Sequence, residues 1–242
     1  MLLLRALLVA SAAIPAAARL PVGGKESKPF SRSHTVFILI CGEDGPGQCR
    51  QCAGTLLAPA GNVVLSAAHC FPSGASTDPG NLIVYVHIHS LLSVSPYKKE
   101  HECSKKIKVV KYVEHPEYGG LAGTRDFDAA LLFLEEAAPC VADGRTATVS
   151  LDPVDPAVGA KMRVEGWGAT DVAGQSYPDT LHEVDINVMS NEECGVLWAI
   201  TENMLCARAP GKDGCTAAWN DRSCFLSKSR LEFAKNRSCR SW

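Results

Sequence analysis

Val64-Leu65-Ser66-Ala67-Ala68-His69-Cys70 is the stretch on which the reading of this 242-residue chain turns. An apolar, β-forming run leads into two small residues and ends on an imidazole beside a thiol. A histidine that moves protons must sit on a rigid support, and a disulfide next to it supplies one. Ala67 and Ala68 leave room for backbone or substrate to come close. A histidine standing alone is more often a surface or core residue, so the weight of His69 comes from its surroundings. Outward from it, residues 53–68 are small and apolar with two breaks. Short β-like runs occupy 33–40, Asn81–His89, Lys106–Val113, Ala129–Leu134, Lys161–Trp167 and Leu181–Val188. Gly, Pro, Asn and Asp separate them, and only Asn191–Trp198 suggests a short helix. Many short strands with frequent turns predict an all-β sandwich or barrel.

Composition narrows the function. With 46% hydrophobic residues and a formal charge of -2, the chain has neither the basic excess of a nucleic-acid binder nor an acidic tail. Its start is distinctive: Arg5 supplies a cation, Ala6 to Ile14 is an apolar run too short to span a bilayer, and Ala16-Ala17-Ala18 offers small side chains. Residues 1–18 read as a secretory signal cut near Ala18, which predicts a secreted, extracellular protein. Eleven cysteines fit an oxidising compartment, and their odd count leaves at least one thiol without an intrachain partner.

Several segments together resemble the trypsin-like serine protease family. His69 lies in what resembles that family's catalytic-histidine motif, and Gln51-Cys52-Ala53-Gly54-Thr55-Leu56-Leu57 is similar to the segment that precedes it. Asp126-Phe127-Asp128-Ala129-Ala130-Leu131-Leu132, following His115-Pro116-Glu117-Tyr118, resembles the surroundings of the catalytic aspartate. Asp128 takes that place; read from residue type alone, Asp126 or Asp128 is equally suited to capping a turn. Gly166-Trp167-Gly168, Cys194, Asn203-Met204-Leu205-Cys206-Ala207 and Gly211-Lys212-Asp213-Gly214-Cys215 continue the resemblance, which covers residues 22–215. It implies two packed antiparallel β-barrels, a domain over 19–215, and the disulfides Cys52–Cys70 and Cys194–Cys206. It also implies peptide-bond hydrolysis through an acyl-enzyme, with His69 as general base and acid and Asp128 as its orienter. Asp213 would lie at the floor of the specificity pocket and favour Arg or Lys in the substrate. A solvated Lys-Asp turn is the alternative for Asp213. The family's chemistry requires no metal and no organic cofactor.

At Cys215 the resemblance stops. Counting from it, the family's nucleophilic serine falls on Trp219 and the aspartate before it on Ala218. Tryptophan offers no nucleophilic atom, so His69 has nothing there to deprotonate. Ser223 stands four residues late between Arg222 and Cys224, where the oxyanion-binding turn needs glycine. At the other end Pro21 occupies the position of the isoleucine whose freed amine pairs with the missing aspartate. Residues 216–242 carry six Lys or Arg against two acidic residues, without strand-like alternation, and are expected to form a divergent, disordered tail. On this reading the second barrel is truncated.

Two function classes follow. One is a serine endopeptidase lineage acting on protein or peptide substrates, inactive in this chain because the nucleophile is absent; a misread or spliced exon accounts for the tail. The other is a non-catalytic, regulatory homologue that binds a protease or an inhibitor. Neither nucleic acid nor membrane is an expected partner. His87-Ile88-His89 would set two imidazoles on one strand face, a pairing suited to zinc or copper, although a solvated face is the simpler reading. Cys41 and Cys49 flank a glycine-rich turn that they are placed to staple. Cys103, Cys140, Cys215, Cys224 and Cys239 have no partner assignable from sequence, and Asn236-Arg237-Ser238 is a glycosylation sequon.

Overall fold

The structure, a computed structural model, describes residues 24–41, 49–71, 79–94, 99–119, 126–150, 154–170, 176–195, 200–208 and 224–227. Eleven strands dominate it: β1 Lys25–Glu26, β2 Thr35–Cys41, β3 Cys49–Leu56, β4 Val63–Ser66, β5 Leu82–Val86, β6 Lys105–Glu114, β7 Ala130–Leu134, β8 Lys161–Gly166, β9 His182–Met189, β10 Met204–Arg208 and β11 Cys224–Ser227. A single α-helical turn, α1 Asn191–Gly195, precedes β10.

Strands β2 to β7 close into a six-stranded antiparallel barrel in the order β2-β3-β4-β7-β6-β5. Its interior is made by every second residue of each strand: Val36, Ile38 and Ile40 from β2, Val84 and Val86 from β5, Ile107 and Val109 from β6, Leu132 and Leu134 from β7. On β2 the other face is apolar too. Phe37 and Leu39 turn outward onto Tyr85, Ile88, Trp167 and Leu181, which explains why this strand reads as a continuous apolar run rather than an alternating one. In β6 a bulge between Val109 and Lys111 shifts the pairing with β7 by one residue.

The second half forms a five-stranded sheet in the order β1-β9-β10-β11, with β8 also paired to β9, over a core of Met162, Val164, Val184, Ile186, Val188, Leu205 and Ala207. Strand β11 comes from the stretch expected to lack strands. Its four residues nonetheless pair antiparallel with β10, from Met204↔Ser227 to Ala207↔Cys224, because backbone pairing to an open edge needs no side-chain alternation. The rest of residues 216–242, like the leader 1–18, lies outside the described residues.

Trp167 ties the halves together. It is 6% exposed, meets Phe37 edge-on with ring centroids 5.9 Å apart, and donates its Nε1–H to the His89 carbonyl at 2.9 Å. Trp167→Phe keeps most of the packing and leaves the His89 carbonyl to the Leu181 N–H alone, at 2.8 Å, so a loss of about 1 kcal/mol is expected in denaturant titration. A change below about 0.3 kcal/mol would show the bond to be dispensable.

The solvated strand face expected for His87 and His89 is corrected by the structure. Strand β5 ends at Val86, and His87 takes a left-handed backbone (φ 53°) that breaks the alternation. Both imidazoles are buried: His87 Nδ1 lies 2.9 Å from Thr146 Oγ1, and His89 Nε2 lies 2.8 Å from Glu26 Oε1. Among the described residues, four disulfides join Cys41 to Cys49, Cys52 to Cys70, Cys103 to Cys140 and Cys194 to Cys206.

Candidate active site

His69 sits in a single 3-10 turn, Ala68–Cys70, directly after β4. Two covalent and steric constraints fix this turn. The Cys52–Cys70 disulfide, with Cα atoms 6.3 Å apart, anchors it to β3, and Ala67 and Ala68 are both fully buried. Larger side chains at these alanines would push the turn off the barrel.

Asp128 reaches His69 from the approach to β7, 59 residues further along. Its Oδ1 accepts the His69 backbone N–H at 2.8 Å and its Oδ2 lies 2.7 Å from His69 Nδ1. An ionised carboxylate only accepts, so the proton of the second bond belongs to Nδ1 and the lone pair of the ring to Nε2. The two bonds fix both the position and the tautomer of the imidazole, leaving a ring that can take a proton at Nε2 while the buried aspartate balances the resulting charge. His69 retains 29% side-chain exposure against 10% for Asp128, so the imidazole is reachable and the carboxylate is screened.

The loop that presents Asp128 is held by contacts no local motif announces. Phe127 has a left-handed backbone (φ 53°) and stacks on His115 with centroids 4.7 Å apart and planes 9° from parallel. The Ala129 N–H closes back on the Phe127 carbonyl at 2.7 Å, and the His115 N–H bonds the Ala129 carbonyl at 2.8 Å. Asp126, 3% exposed, accepts the Phe127 N–H at 3.0 Å on Oδ1 and the Asn203 side-chain amide at 3.1 Å on Oδ2. The two aspartates therefore divide the work. Asp126 clamps the turn to the second sheet, and Asp128 meets the histidine.

Sequence reading singled out neither Asn203 nor the His115–Phe127 stack as part of this site. Asn203 lies 77 residues from Asp126, and a side-chain amide bonded to a carboxylate leaves no periodic trace in a sequence. Asp213, Ala218, Trp219 and Ser223, with Cys215, Cys239 and Pro21, lie outside the described residues. Among the described residues one group of three metal-donor side chains occurs, His87, His101 and Cys103, and the Cys103 sulfur is already bonded to Cys140.

The sequence matches the Trypsin family over residues 21–218, a span that includes His69, Asp128 and Asp213. The chain belongs to the trypsin family. Among trypsin-family relatives, dog anionic trypsin is 29% identical over 168 residues, which is 68% of this chain and 60% of that protein. Human trypsin-3 is 31% identical over 168 residues, 68% of this chain and 49% of the relative. Dog chymase is 32% identical over 197 residues, 79% of this chain and 69% of the relative. The chain thus spans about half to two thirds of the length of these trypsin-family proteins. Two solved structures share the architecture. GrC superposes with a TM-score of 0.65 at 25% identity, over 86% of this chain and 84% of that one. Neuropsin, a serine protease expressed in the limbic system of mouse brain, gives 0.63 at 24% identity over 86% and 83%.

Proposed function

We propose that this chain carries the acid–base half of a serine endopeptidase and does not itself hydrolyse peptides. The observation that supports this most directly is the doubly bonded His69–Asp128 pair, at 2.8 and 2.7 Å, in a chain whose residue 219 is tryptophan. His69 is the general base and acid, and Asp128 orients it. In a family member with a serine at the position of Trp219, His69 Nε2 would take the hydroxyl proton as oxygen attacks the carbonyl, then return it to the leaving amine. Without that serine the proton transfer has no nucleophile to activate, and with Ala218 in place of an aspartate no carboxylate is available to pair with a freed N-terminal amine. Asp213 directs recognition toward Arg or Lys side chains of protein or peptide substrates. Residues 1–18 export the protein, 19–215 form the protease-like domain, and 216–242 are a divergent tail.

The test is cleavage of an Arg-containing chromogenic peptide by the purified, secreted chain, with His69→Ala beside it. The expected result is no turnover above the His69→Ala background and no labelling by a serine-directed fluorophosphonate. Removing a triad member leaves residual catalysis only where the oxyanion site and substrate binding survive. Turnover that His69→Ala abolishes would overturn the proposal and direct attention to Ser223.

A further inference from the structure

Four potential metal donors meet beside the closed barrel, just past the end of β5. His87 is 2% exposed, and its Nε2 is buried without a hydrogen-bond partner among the described residues, while Nδ1 lies 2.9 Å from Thr146 Oγ1. Its ring stacks against Phe30 at 5.1 Å and against His101 at 4.6 Å between centroids. Half-buried His101 accepts the Cys103 N–H on Nδ1 at 3.2 Å, so the lone pair of that nitrogen faces Cys103. The donor atoms of His87, His101 and Cys103 all lie within 4.8 Å of one another. The fourth donor, the sulfur of Cys140, is 1.98 Å from the Cys103 sulfur because the two are bonded.

A buried ring nitrogen with no partner is unfavourable, and nothing in the oxidised cluster relieves it. Thr146 Oγ1 engages the ring at Nδ1, so Nε2 is the nitrogen left to meet a ligand.

We propose that the Cys103–Cys140 disulfide covers a latent zinc site, completed by His87 and His101 when a thiol reductant opens the bond. Two equivalents of the thiol reduce the S–S bond and leave as their own disulfide. The two cysteine thiols then lose their protons to solvent as Zn²⁺ binds, giving a Cys₂His₂ tetrahedron with two thiolates and two neutral imidazoles. With Zn–N near 2.0–2.1 Å and Zn–S near 2.3 Å, the donors of such a site stand roughly 3.3–3.8 Å apart. The imidazoles and Cys103 must close by about 1 Å and the two sulfurs must part by about 2 Å, movements on the scale of side-chain rotamers. Half-buried His101 swings away from the stack, and Thr146 keeps His87 oriented.

Full-length Cys140→Ser, purified without reductant, frees the Cys103 thiol while the Cys41–Cys49, Cys52–Cys70 and Cys194–Cys206 disulfides stay closed. It is expected to bind Zn²⁺ at least tenfold more tightly than Cys103→Ser/Cys140→Ser, and Co²⁺ in its place should give thiolate-to-metal absorption. Adding His87→Gln should lower the affinity tenfold or more. Equal zinc affinity in the single and double cysteine variants would overturn the site. If Cys140→Ser does not fold, partly reduced wild type decides by mass-spectrometric alkylation rates. Zn²⁺ should slow modification of Cys103 and Cys140 at least tenfold relative to the other reduced cysteines, with His87→Gln abolishing the protection. Slowing that is absent, or equal at all cysteines, refutes the proposal.

Discussion

Gly54→Val is expected to destabilise the protein by about 3 kcal/mol or more, a large part of the 5–15 kcal/mol that holds a typical domain. The reason is local and steric. A Cβ on Gly54 would stand 2.5 Å from Val64 Cγ1, 3.0 Å from the Leu65 carbonyl oxygen and 3.1 Å from Ile38 Cδ1. Val64 and Ile38 are fully buried in the barrel core and Leu65 is 3% exposed, so no neighbour can retreat into solvent. The carbonyl oxygen is the decisive contact, because it belongs to the β3–β4 pairing, where Thr55 faces Leu65. Equilibrium unfolding in guanidinium, disulfides intact, measures the loss. Gly54→Ala/Val64→Ala should recover part of the loss in Gly54→Ala, since it removes the methyl clash but not the backbone one. A Gly54→Val protein within about 0.5 kcal/mol of wild type would show that β3 and β4 can separate freely, against the packing described.

The second large effect is expected at the junction of the two halves. Glu165 on β8 is fully buried, and its Oε2 accepts the Thr35 hydroxyl at 2.8 Å and lies 3.1 Å from His34 Nε2. Arg32 Nε is 3.2 Å from the other oxygen, although its hydrogen is directed at Glu183 Oε2, 2.9 Å away. The Arg32 guanidinium thus sits between two buried carboxylates, of which Glu183 also lies 3.8 Å from Arg163 and 4.0 Å from Lys25. Arg32→Ala removes the guanidinium beside Glu165 Oε1 and leaves the buried carboxylate to Thr35 and His34, a change expected to cost about 3 kcal/mol, the lower end for broken buried pairs. Glu165→Gln placed on top should restore stability, because a neutral amide removes the charge and still meets Thr35. The same unfolding titration reads both variants. If the double variant is no more stable than Arg32→Ala, the cost lies in lost packing of the arginine stem and not in the buried charge.

The candidate site was legible in the sequence where its chemistry is local. Val64–Cys70 and Asp126–Leu132 each pack their informative residues into seven positions, and the two segments meet in the structure at His69 and Asp128. The strands were legible for a similar reason. Lys105–Glu114, Ala130–Leu134, Lys161–Gly166 and His182–Met189 agree with the β-like runs to within a residue or two, because burial on one face of a sheet writes alternation into the chain. His87 and His89 misled in sequence because one left-handed residue ends the strand, and a backbone dihedral at a histidine has no signature in residue type.

The sequence by itself determined the all-β class, the family, the candidate histidine with its two candidate aspartates, and the tryptophan at position 219. Each of these is carried by residue type at short spacing. Only the tertiary structure decided which aspartate meets His69 and which clamps to Asn203, that Cys103 bonds Cys140 across 37 residues, and that His87 is buried beside them. These depend on pairings between side chains far apart in the chain. Such pairings are selected by the closure of the barrel and the docking of the second sheet upon it, and neither event leaves a periodic mark on the residues it brings together.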